Sequence, residues 1–181
     1  MKAVAAPLDG LIVLEPTIFG DDRGFFFESF NEATFKSITG LDDLTFVQDN
    51  HSKSSKGVLR GLHYQTPPYQ QGKLIRVVQG EIWDVAVDIR DDSATRGRWF
   101  GALLSSENKK QIWLPPGFAH GFITLSDSAE VLYKTTQFYS PEHERCLAWN
   151  DPILAIDWQL SQLAGISPQL SSKDKLGAAF K

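Results

Sequence analysis

Proton abstraction beside a carbonyl takes a base and a group that holds the developing oxyanion, and a nearby phenol can deliver a proton. The chain supplies a histidine, a lysine and a tyrosine in suggestive places. His63 follows Arg60-Gly61-Leu62, a loop rich in Pro and Gln runs from Thr66 to Gly72, and Lys73 opens a long alternating stretch. An imidazole titrates near ~6.5, so His63 can accept a proton at neutral pH. Lys73, set across a hairpin from it, can neutralise an enolate oxygen. Tyr133 and Tyr139 fall on one face of a single predicted strand, where one phenol can deliver a proton and the other can stack on a base ring. His120 follows Pro115-Pro116-Gly117-Phe118-Ala119 at the head of another strand. Each residue also has an ordinary reading. Lone histidines are usually hydrogen-bonded core or turn residues, lysines are mostly solvated, and tyrosines in β proteins mostly pack. The company of Arg60 and Lys73 is what moves His63 toward chemistry.

Other chemistries find no motif. His51, His63, His120 and His143 show no H-x-H or H-x-x-x-H spacing and Cys146 stands alone, so no zinc-type signal is present. There is no G-x-G-x-x-G, no Walker-type loop and no G-x-S-x-G elbow. No cofactor is called for.

These residues need a β scaffold, and the pattern predicts one. Strands are expected over 10–16, 25–30, 45–50, 58–64, 74–89, 99–104, 110–114, 122–125 and 130–139, from β-branched and aromatic runs bounded by turn residues. From Glu81 onward the period is two: Trp83, Val85, Val87 and Ile89 share one face, while Asp84, Asp88 and Arg90 share the other. Charges on a buried sheet face are costly without partners. Asn31 is placed to cap a short helix over 32–37 that stops near Gly40, and Ser171 to cap a final one. Many short strands and few helices indicate an all-β sandwich or barrel, of which a jelly roll is one form.

The chain of 181 residues, 42% hydrophobic, is long enough for one domain with a real core. Its net charge of −4, with acids and bases mixed, argues against nucleic acid or an anionic membrane as partner, but not against a small anion held by a few local bases. One cysteine permits no internal disulfide, which fits a reducing cytosol. The first ten residues are too short in apolar character for a signal peptide, and no run approaches the ~20 apolar residues of a membrane span.

With DDRGFFFESF, VQDNHSKS, RGLHYQ, GKLIRVVQGEIWDVAVDIR, PPGFAHGF, YKTTQFYSPEHER and LSSKD in fixed order, the sequence resembles the dTDP-4-dehydrorhamnose 3,5-epimerase family from about Leu11 to Asp174. The resemblance implies a cupin-type double-stranded β-helix (jelly roll) spanning 1–181 as a single domain, a metal-free site, a cytoplasmic homodimer and dTDP-4-dehydro-6-deoxyglucose as substrate. It also implies supply of deoxysugar for surface polysaccharide. It assigns His63 as base, Asp174 as the carboxylate orienting it, Lys73 as enolate stabiliser, Tyr133 as acid and Tyr139 as the ring stacked on thymine. Arg60, His120, Gln48, Asp49 and Asn50 would line the sugar and diphosphate region, with Glu144 and Lys173 as further contacts. Arg23 and Glu28 would reach the neighbouring subunit's site through exchanged N-terminal strands. Ser172 stands where an acid is expected in LSSKD, a departure that touches no assigned role. A single-centre epimerase or ketoisomerase on a related dTDP-4-keto sugar, and a non-catalytic sugar-nucleotide binding module, are the alternatives.

Overall fold

A computed structural model describes residues 1–5 and 7–181. Two antiparallel sheets face each other, giving the all-β jelly roll with a few short helices that the sequence pattern indicates. The strands are β1 (Lys2–Ala5), β2 (Ile12–Glu15), β3 (Phe19–Asp21), β4 (Gly24–Phe26), β5 (Gln48–Ser55), β6 (Leu59–Gln65), β7 (Lys73–Gln79), β8 (Glu81–Asp88), β9 (Trp99–Ser105), β10 (Gln111–Leu114), β11 (Phe118–Thr124), β12 (Ser128–Thr135) and β13 (Glu144–Cys146). One sheet runs β1-β2-β10-β7-β12-β5 and the other β13-β6-β11-β8-β9, while β3 and β4 form a separate hairpin. No helix among the described residues is long and apolar enough to cross a membrane.

The interior between the sheets is divided lengthwise. One end is filled by Ile75, Val77, Ile82, Ala86, Leu104, Ile112 and their neighbours. Their burial stabilises the fold at about 25 cal/mol per Å² of apolar surface removed from water. The other end is lined with polar side chains and forms the cavity described below. Two outer layers close the sandwich. Leu147, Leu154, Trp158 and Leu163 pack on the outer face of the five-stranded sheet. Helix α1 (Glu32–Thr39) covers the six-stranded one, with Phe35 set edge-on to Trp113 at 5.4 Å between ring centroids. Asn31 caps α1 by accepting from the Thr34 N–H, and Gly40 ends it in the left-handed region.

Several predicted strands change bounds, each for a reason in the pairing. The run 74–89 is two strands. Gly80 turns the chain with φ +72, at a point where a Cβ would lie 2.0 Å from the Ser128 carbonyl oxygen. β7 and β8 therefore part into different sheets, so Lys73 faces His63 across the sandwich and not across a hairpin. The strand expected over 45–50 is β5, shifted to Gln48–Ser55 by eight register partners on β12. All eight of its residues are polar and gave no hydrophobic signal. β11 starts at Phe118, not Phe122, because it pairs with β8 from Phe118 onward. β12 stops at Thr135, so Tyr139 arrives on a loop and not on the Tyr133 strand. The strand expected over 25–30 ends at Phe26. Beyond β3, the described residues of this chain offer β4 no partner strand.

Candidate active site

A cavity of about 640 Å³ opens between the polar ends of the sheets. β6 brings two residues to it that simple alternation would separate. His63 pairs with His120 and Arg60 with Phe122, so β6 spans with three steps what β11 spans with two. The extra residue is a β-bulge, and it turns both Arg60 and His63 inward. Gly61 sits in this bulge at φ +124, where a Cβ would lie 2.5 Å from Gly121 Cα, so only glycine fits.

His63 is gripped by a carboxylate from far along the chain. Helix α2 (Ser172–Lys175) begins with a capping box in which Ser171 and Asp174 bond to each other's backbone. Asp174 Oδ1 lies 2.7 Å from His63 Nε2 and accepts from the Gly61 N–H at 3.2 Å. Its Oδ2 accepts from the Ser171 hydroxyl at 2.6 Å and the Ser171 N–H at 3.2 Å. Burial pushes the Asp174 pKa up, but these bonds outweigh it and hold the group below the usual carboxylate value. Asp174 is thus a carboxylate with both oxygens engaged. His63 Nδ1 is buried with no hydrogen-bond partner. Glu144 Oε1 is 3.6 Å from it. Burial pulls the His63 pKa below 6.5, opposed by Asp174 and Glu144 and assisted by Lys73. A ring bonded through Nε2 and bare at Nδ1 is set to accept a proton there.

Lys73 enters from the facing sheet, 8% exposed. Its one bond is a long one, 3.4 Å to the His63 carbonyl oxygen. Burial pulls its pKa from 10.5 to about 8, against the raising effect of Asp84 and Glu144. Tyr133 lines the same cavity from β12, half-buried, and burial pushes its phenol above 10. At neutral pH it is therefore a protonated acid.

Gln48, Asn50 and His120 also line the cavity. Gln48 Nε2 donates to Asn50 Oδ1 at 2.9 Å and its Oε1 accepts from the Tyr139 N–H at 3.1 Å. Tyr139, 49% exposed, stands at the rim. Its hydroxyl donates to Glu144 Oε2 at 2.8 Å, and Lys173 donates to the same oxygen. Asp49 points the other way, paired with Lys134 Nζ at 2.9 Å, and does not line this cavity. Arg23 and Glu28 lie outside it as well, Arg23 bonded to Asp21 and Glu28 to Asn31.

The sequence reading passed over one group. Asp84, fully buried, bonds His120 Nε2 at 2.7 Å through Oδ2, while its Oδ1 has no partner. The inward alternation of β8 had marked it as a charge in need of a reason. Among the described residues, one group of metal-ligand type is close-set: His63, Cys146 and Asp174, with donor atoms within 4.8 Å. Burial pushes the Cys146 thiol up to about 11, and Asp174 is already filled, so this set favours holding a proton over ligating an ion.

The arrangement combines a base, an ammonium and a phenol around one cavity, with an aromatic ring at its mouth. Comparison with known proteins agrees with that chemistry. A family model described as dTDP-4-dehydrorhamnose 3,5-epimerase matches residues 5–181. The dTDP-4-dehydrorhamnose 3,5-epimerase of Pseudomonas aeruginosa is 57% identical over 180 residues, covering 99% of this chain and 96% of that protein. That of Salmonella typhimurium is 55% identical over 174 residues, covering 96% and 92%. The crystal structure of dTDP-6-deoxy-D-glucose-3,5-epimerase from Legionella pneumophila in complex with dTDP-4-keto-L-rhamnose superposes with TM-score 0.93 and 50% identity, over 98% of this chain and 92% of that one.

Proposed function

The chain belongs to the dTDP-4-dehydrorhamnose 3,5-epimerase family, and from that premise we infer how its residues carry the reaction. It is an isomerase that converts dTDP-4-dehydro-6-deoxy-D-glucose to dTDP-4-dehydro-L-rhamnose by inverting C3 and C5. The C4 ketone acidifies the hydrogens on both carbons. His63 Nδ1 takes the proton, and the electron pair moves onto O4 as an enolate. Asp174 keeps Nε2 protonated and stabilises the imidazolium that forms. Lys73 as ammonium holds the enolate oxygen. Tyr133 gives a proton to C5 from the opposite face, which inverts it. At C3 the enolate carbon takes its proton from water on that face, and between the two inversions His63 releases its proton to solvent and the Tyr133 phenolate regains one. No electron is gained or lost, so neither carbon needs a redox partner.

Binding follows the same division. Arg60, Gln48, Asn50 and His120 contact the sugar and diphosphate, and Tyr139 stacks on thymine with Glu144 and Lys173 beside it. In that pose Tyr139 gives up its bond to Glu144. Asp49 contributes through its backbone if at all, since its side chain is turned away. We read residues 1–181 as one cytoplasmic domain that works as a homodimer. The β3–β4 hairpin supports this: Phe19, Phe25 and Phe26 are each more than 60% exposed, and such an apolar surface is unusual on a solvated monomer. Docked on a second copy, the hairpin would carry Arg23 and Glu28 to the partner's cavity.

The observation that supports this reading most is the placement of His63 and Tyr133 on facing sheets about one cavity, with Lys73 beside the base. The test is to mix the protein with dTDP-4-dehydro-6-deoxy-D-glucose in deuterated water and follow the sugar protons by NMR. Deuterium entering at both C3 and C5, with an L-rhamno product in a coupled reductase assay, is expected. Exchange at one carbon only would reduce the chain to a single-centre epimerase, and no exchange with tight dTDP binding would leave a binding module.

A further inference from the structure

We propose that Glu144 is a proton relay: it takes the proton from His63 Nδ1 after the first abstraction and passes it to water, so that one base serves both carbons. The inference rests on the epimerase reading and adds a step to it, acting through His63 and not on the sugar.

A base that works at two carbons must be emptied between them. The first abstraction leaves a proton on Nδ1, and an imidazolium has no lone pair for a second one. Nδ1 is buried and has no hydrogen-bond partner, so a proton placed there has no direct contact with water. Two carboxylates reach the ring. Asp174 lies at Nε2, 2.7 Å away, with both oxygens already engaged. Glu144 lies at Nδ1, with Oε1 3.6 Å from it. Strand β13 sets it there, since Glu144 and Cys146 pair with Gln65 and His63 on β6. The other reactive groups of the cavity do not compete. Lys73 and Arg60 offer donors, and Tyr133 holds its own proton.

The two oxygens of Glu144 are divided in a way that suits transfer. Oε2 is tethered at the mouth by the Tyr139 hydroxyl at 2.8 Å and by Lys173. Oε1 accepts no hydrogen bond among the described residues and faces the bare nitrogen. The side chain is 19% exposed, so one carboxylate spans from the buried ring to solvent. Burial pushes its pKa up, but Lys173 and Tyr139 outweigh that and hold it below 4.5. Glu144 is therefore ionised when a proton arrives and does not keep it. A separation of 3.6 Å is longer than a hydrogen bond. When Tyr139 stacks on thymine, one tether of Oε2 is lost, and a shift of under ~1 Å brings Oε1 into bonding range. The Nδ1–H bond then breaks as the Oε1–H bond forms, leaving neutral His63 and a neutral carboxylic acid. Loss of that proton to water restores the carboxylate.

The test uses enzyme in excess over dTDP-4-dehydro-6-deoxy-D-glucose in deuterated water, quenched at intervals and read by NMR at C3 and C5. The wild type should exchange both carbons in close succession. Glu144→Gln keeps the size of the side chain and an acceptor for Tyr139 but cannot carry the proton. In it the second carbon should lag ~10-fold or more, so that sugar deuterated at one carbon accumulates. Glu144→Ala should show the same accumulation, and added formate, a carboxylate small enough for the vacated space, should shorten the lag. Glu144→Gln, with that space filled, should not respond to formate. A role only in binding or packing would slow both carbons alike, with no rescue. Equal slowing at C3 and C5 in either variant, or a lag in Glu144→Ala that formate leaves unchanged, overturns the proposal. Should Glu144→Ala fail to fold, accumulation in Glu144→Gln decides alone. Failure of the epimerase reading shows separately, as a wild type that exchanges neither carbon.

Discussion

Two histidine–aspartate pairs stand side by side in one cavity and are built differently. His63 and His120 are direct register partners on β6 and β11. Each ring gives Nε2 to an aspartate oxygen at 2.7 Å. The carboxylate behind His63 comes from α2 at the far end of the sequence, and every one of its oxygens is engaged. The carboxylate behind His120 comes from the adjacent strand of the same sheet and keeps one buried oxygen without a partner. A saturated aspartate fixes a ring and stays out of the proton's way. An unsaturated one leaves an acceptor open. The same residue pair is therefore closed at His63 and open at His120.

The comparison can be broken by exchanging the roles. His63→Asn should lose ~10²- to 10⁴-fold in kcat, the usual worth of a general base, with dTDP binding retained by isothermal titration. His120→Asn should cost less, no more than ~10²-fold, and partly in KM. Equal losses would show that the two pairs are not functionally distinct, and near-normal epimerisation by His63→Asn would remove the base assignment altogether.

A smaller effect is expected at the carboxylate behind the base. Asp174→Asn leaves the ring in place but removes the charge that favours the imidazolium. Turnover should fall by about tenfold or more, with the acid limb of kcat/KM moved to lower pH, because Asp174 raises the His63 pKa. The folded-state pKa of Asp174 is itself depressed. Its contribution to stability is therefore complete above the ordinary carboxylate value of 3.8 and is lost as pH falls below it. Acid titration of the wild type followed by circular dichroism should show that loss, and Asp174→Asn should show a smaller one, the share of the other depressed carboxylates such as Asp88 remaining. An acid limb that stays put in the variant would mean that Asp174 does not tune the base.

The smallest effect belongs to the cap. Ser171→Ala removes the hydroxyl bond to Asp174 and half of the capping box. It should cost about 1 kcal/mol of stability in denaturant unfolding, with a reduction in kcat smaller than that of Asp174→Asn. A kcat loss equal to that of Asp174→Asn would mean that the carboxylate depends on the cap for its position.

How far the sequence foretold these pairs follows from what each is made of. His63, Lys73 and Tyr133 are reactive types on apolar strands, so alternation and chemistry pointed the same way. The run 74–89 alternated without interruption, yet Gly80 cut it, because a positive φ and the closeness of Ser128 are tertiary facts. The β6 bulge that turns Arg60 and His63 to one side exists only in the pairing with β11. β5 was misplaced because its inward residues, Asn50, Ser52 and Ser54, face a polar cavity and a polar edge where no hydrophobic stripe is needed. Asp84 was visible as an inward charge, but its bond to His120 was not, since β11 was expected to begin only after that residue. Asp174 came from resemblance alone, its distance of 111 residues from His63 lying beyond any local pattern.

The central claim is that base and acid work from opposite faces of one sugar, and Tyr133→Phe in deuterated water tests it most directly. The account predicts that C5 exchanges its proton for deuterium without inverting, since His63 still removes and returns a proton on its own face, while inversion at C3 continues. If both inversions slow equally, with no retained-configuration exchange at C5, Tyr133 is not the opposing acid and the two-face mechanism is contradicted.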